Sequence, residues 1–319
     1  MEEISNEISI TPAYIKSMDA RQVFPNSPGK FGKKREPLLM FTHLYKDYIL
    51  CGAEDSFCIY GDFGTRKTLL IDCLMAAKWT DDVSKTLGFK MHPKLKAKHI
   101  LHFDTEQSME DTYFNRHRFY DIIGYNAKEV PEQSPIEGYS VFNIKGWGAS
   151  QKIDFIDWKI RKMLDEGVDI GLILLDQVAD LVTDINNRES VNFIIAKVEE
   201  WNSLTGAIVG VVTHTNSQGT ITGVSGKEWA KKVSCLYETS QEEQGGETRV
   251  RPIKGRKSPA LPEFFFNQDD NAMPVLGTVL ERGAKPMEST SSSDNADMPE
   301  VSKPMPKVKP NPSDEYDFD

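Results

Sequence analysis

The feature that most narrows the fold is the segment Gly61-Asp62-Phe63-Gly64-Thr65-Arg66-Lys67-Thr68, set between a short apolar run and a helical pattern. A loop that grips phosphate oxygens with consecutive backbone N–H groups needs glycines, because side chains restrict the turn and block close approach. It also needs a lysine to reach the outer phosphates and a Ser or Thr hydroxyl to hold Mg²⁺. A helix starting directly after it adds the positive end of its dipole. Gly61 and Gly64 bracket the turn here, Lys67 is the phosphate lysine and Thr68 the magnesium ligand. Ser56 to Tyr60 reads as the strand before the loop. Thr68 to Trp79, with Leu69, Leu70, Cys73, Leu74 and Ala77 at helical spacing, reads as the helix after it. The expected nucleotide-binding segment therefore runs from Gly61 to Leu69. One position departs from the usual pattern: Arg66 stands where glycine normally precedes the lysine. Its side chain restricts the backbone and crowds the loop, or else adds positive charge beside the phosphates.

Strand and helix patterns alternate from residue 37 to about 276. Gly171 to Leu175 and Ala207 to Val212 are wholly apolar, as strands buried on both faces of a parallel sheet are. His99 to Phe103 and Tyr139 to Ile144 also read as strands; Asp111 to Ile123, Ile153 to Leu164 and Glu189 to Leu204 read as helices. After Glu228 the runs shorten. Cys235 to Thr239, Thr248 to Ile253 and Phe264 to Phe266 read as antiparallel strands extending the sheet. The expected fold is α/β: a twisted, mostly parallel sheet flanked by helices, with antiparallel edge strands. Residues 1–36 read as a polar arm ending in Lys30, Lys33, Lys34 and Arg35. Residues 283–319 carry repeated prolines and Ser289 to Ser293, and bury too little to offset their ordering entropy, so a disordered tail is expected. Its acidic tip holds Tyr316 and Phe318.

Four further stations follow the loop in order. Ile173-Leu174-Leu175-Asp176 is an apolar strand ending in a carboxylate suited to the Mg²⁺ shell. His102-Phe103-Asp104-Thr105-Glu106 ends the strand after the loop helix. Glu106 is the candidate general base for water attack, with Asp104 as the alternative. Val212-Thr213-His214 ends a third buried strand, where His214 is suited to sense the outermost phosphate. The Gly-, Ser- and Thr-rich Ser217 to Gly226 is a candidate DNA-contacting loop. Lys254-Gly255-Arg256-Lys257 follows a late strand, and Lys254 and Arg256 are candidate fingers that enter a neighbouring subunit's site.

Composition excludes some classes. A formal net charge of −10 argues against a chain that is basic as a whole, though not against a local basic groove. The four cysteines, Cys51, Cys58, Cys73 and Cys235, form no Cys-x-x-Cys pair, as expected in a reducing cytoplasm. No apolar run approaches the ~20 residues of a membrane helix, and Met1 to Ile10 lack a signal-peptide core. His99 and His102, three apart on a strand, point to opposite faces and make no metal pair. Arg116, His117 and Arg118, flanked by Phe114, Phe119 and Tyr120, read as a helix with aromatics in the core and cations in solvent. A single-stranded nucleic-acid surface is the alternative. Trp147 either stacks on a base or caps the sheet.

The five stations, in this order over residues 37–275, resemble the RecA-like P-loop ATPases. Within them the chain looks most like the small hexameric helicases of the plasmid RepA and DnaB type. The resemblance implies ATP with Mg²⁺ as the bound nucleotide, Lys67, Glu106 and His214 in catalytic positions, and Thr68 and Asp176 at the metal. It also implies Lys254 and Arg256 acting between subunits of a ring or filament. Single-stranded DNA is the implied partner, in replication or recombination of a phage or mobile element. The acidic tail resembles the tips by which single-stranded DNA-binding proteins recruit replication partners. Helicase, filament-forming recombinase or loader, and non-hydrolysing nucleotide switch are the three functions left open.

Overall fold

The computed structural model describes residues 36–125, 136–184, 186–215, 223–258 and 260–281. The polar arm before Glu36, the tail from residue 282 and most of the Ser217–Gly226 segment lie outside the described residues.

Nine strands form one sheet. The strands are β3 (Ser56–Gly61), β5 (His99–Asp104), β6 (Tyr139–Asn143), β7 (Ile170–Asp176), β8 (Ile208–His214), β9 (Cys235–Gln241), β10 (Thr248–Gly255), β11 (Glu263–Gln268) and β12 (Pro274–Leu280), in the spatial order β12-β11-β10-β9-β3-β8-β7-β5-β6. Six neighbouring strands, from β9 across to β6, are parallel. Parallel neighbours need crossover helices, and the chain supplies α1 (Lys67–Ala76), α3 (Met109–Ile122), α4 (Ala149–Asp165), α5 (Arg188–Thr205) and α6 (Gly223–Lys232). The expected α/β architecture, a mostly parallel sheet between helices, is therefore present.

The sheet's pleat sorts its side chains into two cores. Phe57 and Ile59 of β3, with Leu172 and Leu174 of β7, face α1 and α3. Cys58, Tyr60, Ile173 and Leu175 face α4 and α5. β7 is buried along its whole length, which is why its sequence lacks the alternation of a half-exposed strand.

Three features differ from the sequence expectation. β9 is parallel to β3 rather than antiparallel, and only β10, β11 and β12 alternate in direction. The cause is α6, which covers the residues from Gly223 that were read as loop and returns the chain to the starting edge before β9 begins. A second sheet, β2-β1-β4, built from β1 (Leu39–His43), β2 (Lys46–Cys51) and β4 (Phe89–Met91), was not visible as a pattern. It is antiparallel and packs Phe41 on Phe264 of β11 with ring centroids 4.8 Å apart. Finally, β12 carries the ordered core to Leu280, past the boundary drawn at 276. A short helix α2 (Pro93–Lys96) leads into β5.

Candidate nucleotide site

Register brings the stations together. Gly61 pairs with His214 across β3 and β8, and Asp104 pairs with Asp176 across β5 and β7. Four strands thus end at one edge, β3 and β8 reaching two residues beyond β5 and β7. The carboxyl edge of parallel strands is where ligands bind in open α/β sheets. A cavity of about 450 Å³ opens there, lined by Gly64–Leu69, Glu106, Gln107, Lys145, Asp176, His214 and neighbours on α3.

The loop's glycines are required by geometry. A Cβ on Gly61 would lie 2.1 Å from Thr239 Oγ1, because β9 runs against the loop; Gly64 has φ +77°. Arg66 also adopts the left-handed region, with φ 57° and ψ 33°. That conformation costs a side-chain-bearing residue about 1–2 kcal/mol, so the position does demand what glycine gives. The guanidinium is held by the β9–β10 hairpin and β11. Its Nη1 donates to the Gly246 carbonyl and to Thr248 Oγ1 (3.1 Å), its Nη2 to the Gly245 carbonyl (2.9 Å), and its Nε to Gln268 Oε1 (3.2 Å). Arg66 therefore ties the loop to the β9–β10 hairpin and β11, and this anchoring offsets the backbone cost.

Lys67 Nζ is buried and donates to the carbonyls of Gly61 (2.9 Å) and Asp62 (2.7 Å). Burial lowers its pKa to about 8, against the pull of Asp176 and Glu106. Thr68 Oγ1 donates to Asp176 Oδ2 at 3.3 Å and accepts from Gln107 Nε2 at 3.0 Å. Burial pushes the Asp176 carboxyl up to about 7, reinforced by Asp104, Glu106 and Asp72 nearby.

The two candidate bases separate cleanly. Asp104 is buried and committed: its Oδ1 accepts the backbone N–H groups of Glu106 (3.2 Å) and Gln107 (3.0 Å), and its Oδ2 accepts the Thr112 hydroxyl at 2.6 Å. Glu106 lines the cavity and pairs with His214, whose Nε2 stands 3.1 Å from both carboxylate oxygens. The hydrogen bond from His214, ahead of the opposing burial, holds Glu106 below its ordinary range. Phe63, an exposed ring at the loop tip, stacks on His214 at 4.0 Å.

Lys254 and Arg256 are elsewhere. Lys254 pairs with Leu236, which pairs with Cys58 of β3, and Gly255 with Cys235 opposite Phe57. They sit roughly 10–15 Å back along the strands from Gly61, near the opposite edge. There Lys254 donates to the carbonyls of Ala230 and Lys231, and Arg256 to that of Lys231, capping the C-terminal end of α6. Neither reaches the loop of its own chain. Arg256 also borders a cleft of about 820 Å³ at that edge.

The basic cluster on α3 is corrected. Arg116 and Arg118 are not a solvated face: both pair with fully buried Asp72 of α1, at 2.8 and 2.9 Å. Phe119 is buried, whereas Phe114 and Tyr113 are exposed. A buried carboxylate draws the cations inward, and a sequence does not show which helix supplies it. His99 bonds Ser140 Oγ and His102 bonds the Tyr139 hydroxyl, on separate faces.

Residues the sequence left unnoticed complete the site. Thr239 presses on Gly61 and bonds Thr65 Oγ1 at 2.8 Å; Gln107 holds Thr68; the hairpin carbonyls and Gln268 hold Arg66. Gln107 was within reach, being next to Glu106. Thr239 and Gln268 were not, because only the pairing of β9 and β11 places them.

Thr68 and Asp176 offer hard oxygen donors of the kind Mg²⁺ takes, with its other positions filled by water and phosphate. A buried carboxylate with a raised pKa has a charge that a dication would compensate, so the donor set fits. Among the described residues no group of three or more His, Cys, Asp or Glu forms a separate metal cluster, and no helix is long and apolar enough to cross a membrane. The chain matches no known family model and no curated protein.

Proposed function

We propose that the chain is a RecA-like P-loop ATPase, hydrolysing ATP to ADP and phosphate in work on single-stranded DNA, with a small ring-forming helicase as the best-fitting type. The observation that carries this reading is the ending of four parallel strands at one edge, which gathers Lys67, the Thr68–Asp176 pair and the Glu106–His214 pair around one cavity. The order β3-β8-β7-β5, with one strand between the loop strand and the Asp176 strand, is compatible with a RecA-like core.

In this reading Lys67 leaves the loop carbonyls for the outer phosphates, and the loop amides stabilise charge on the transferring group. Thr68 and Asp176 would hold a magnesium ion, which when bound would neutralise charge developing on the phosphate oxygens. Glu106, ionised and oriented by His214, positions and deprotonates water for in-line attack. Lys254 and Arg256 point away from their own site and act on a neighbour's, so a ring or filament is the active form. The Ser217–Gly226 segment, which follows His214 in the chain, would be a route from nucleotide to DNA.

A second reading, nucleotide binding without turnover, is favoured by Arg66, whose hairpin anchors stiffen a loop that otherwise adjusts around phosphate. One measurement separates them: phosphate release by the purified chain with and without single-stranded DNA, beside a Lys67→Ala control. DNA-stimulated release lost in the control supports the ATPase. ATP binding with no release under either condition supports the switch.

A further inference from the structure

At the free edge of the large sheet, β6 and the start of α4 carry a cluster of aromatic rings that the nucleotide site does not use. Phe155 is its centre, 5.6 Å from Phe142, 5.3 Å from Trp147 and 5.8 Å from Trp158. Phe142 and Phe155 are partly buried against the core. The two tryptophans are not: Trp147 is 46% exposed and Trp158 52%. On α4 the spacing 155, 158, 159, 162 places rings and cations on one face. Lys159 Nζ lies 5.1 Å from the Phe142 ring and Lys162 Nζ 5.2 Å from the Trp158 ring. Lys145, two residues before Trp147, is exposed, and neither it nor Lys159 makes an ion pair among the described residues.

Large indole faces left in water ask for a flat partner, since an aromatic side chain that only closed the core would be covered. Ammonium groups stand directly beside the rings. This stripe holds Lys145, Lys159 and Lys162 against Asp154, Asp165 and Glu166, the last 3.9 Å from Lys162, so its formal charges balance. Rings alternating with ammonium groups, of which Lys145 and Lys159 make no ion pair among the described residues, match a ligand that alternates π-faces with phosphates. A duplex hides its base faces in the stack, so the match is to a single strand.

We propose that Trp147 and Trp158, with Lys145, Lys159 and Lys162, form a stacking platform for single-stranded nucleic acid. It deepens the function proposed above by assigning the strand a surface. It is also adjacent to the chemistry: Lys145 lines the nucleotide cavity and helps hold Glu106 ionised, so the Lys145–Gly148 turn joins the two sites.

The test is fluorescence anisotropy of a labelled oligothymidylate with the full chain, repeated over a salt series. Trp147→Ala and Trp158→Ala should each weaken binding about tenfold, and Trp158→Phe far less, as expected for lost base stacking. Lys159→Gln should lower the magnitude of the log–log salt slope by ~0.7, the value for one phosphate contact on a single strand. Far-UV circular dichroism checks the fold, and Trp158→Phe with Lys159→Gln carries the test if an alanine variant does not fold. Unchanged affinity in folded variants overturns the platform, as does absence of oligothymidylate binding by the parent chain. Loss of a larger assembly on sedimentation, with binding intact, assigns the rings to a contact between copies and overturns it equally. Phosphate release without DNA should be unaltered in both tryptophan variants. A parent chain that binds the strand yet releases no phosphate keeps the platform and removes the ATPase.

Discussion

The two edges of the parallel sheet differ in how they hold charge. At the carboxyl edge, Lys67, Asp176 and Asp104 are buried within a few residues of one another, and burial drives the first two toward neutrality. At the other edge, half-buried Lys254 and exposed Arg256 rest on the carbonyl end of α6, where a helix dipole welcomes cations. Buried opposed charges store free energy that a ligand of the right charge distribution releases. Surface cations on a helix end cost little and remain able to reach another molecule. The first edge therefore gathers charge that a ligand would compensate within one chain, and in the function proposed above the second supplies cations to a neighbouring subunit.

The largest test of this contrast is Glu106→Gln. It should cut phosphate release by ~10²–10⁴-fold while ATP binding survives, because the charge removed is that of the base alone; equal loss of binding in a nucleotide titration would make Glu106 a binding residue instead. Next is the pair Lys254→Ala and Arg256→Ala. Each should leave nucleotide affinity within about twofold yet lower turnover by ~10-fold or more. Mixing Arg256→Ala with Lys67→Ala chains should then restore part of the rate, since mixed neighbours can assemble an intact site. Failure of mixing to restore any rate would break the division of labour between the edges.

Asp176→Asn sharpens the electrostatic half of the comparison. With its folded pKa raised to about 7, Asp176 binds its proton more tightly in the folded chain than in the unfolded one. Stability from this group is thus full below the ordinary carboxylate range and is lost as pH rises to 7. Removing the charge should stabilise the chain at pH 8 by on the order of 2 kcal/mol, with the gap closing as pH falls toward 4. Melting curves across that range check it, and a gap independent of pH would show that the carboxylate carries no such burden. The smallest effect is expected for Arg66→Gly. Relief of the left-handed backbone, about 1–2 kcal/mol, opposes the loss of the hairpin bonds, so net stability should change by less than that. Hydrogen exchange in the 242–247 turn should nonetheless quicken, because Arg66 is what holds its carbonyls.

Much of this was legible in the chain. The loop announced itself by glycine spacing and by the strand and helix on either side, and the wholly apolar runs ending at Leu175 and Val212 identified strands buried on both faces. The same reading went astray where partners come from afar. Arg116 and Arg118 looked solvated because Asp72, more than forty positions earlier, gives no sign of being their buried counter-ion. Cys235 to Thr239 was recognised as a strand but given the wrong direction, because the helix that turns the chain before it begins inside a glycine- and serine-rich segment. The small sheet built from Leu39–His43, Lys46–Cys51 and Phe89–Met91 escaped notice because its third strand is only three residues long.

The sequence by itself determined the loop's glycine spacing, the α/β alternation and the set of polar residues that end the buried strands. These follow from backbone freedom at glycine and from hydrophobic period, both of which act over a few residues. Only the tertiary structure decided that Asp104 is spent on backbone amides while Glu106 faces the cavity, that Arg66 turns to the hairpin, and that Lys254 and Arg256 face away from their own loop. Those outcomes depend on strand register and on which buried charge finds which partner, and both are fixed by packing between segments far apart in the chain.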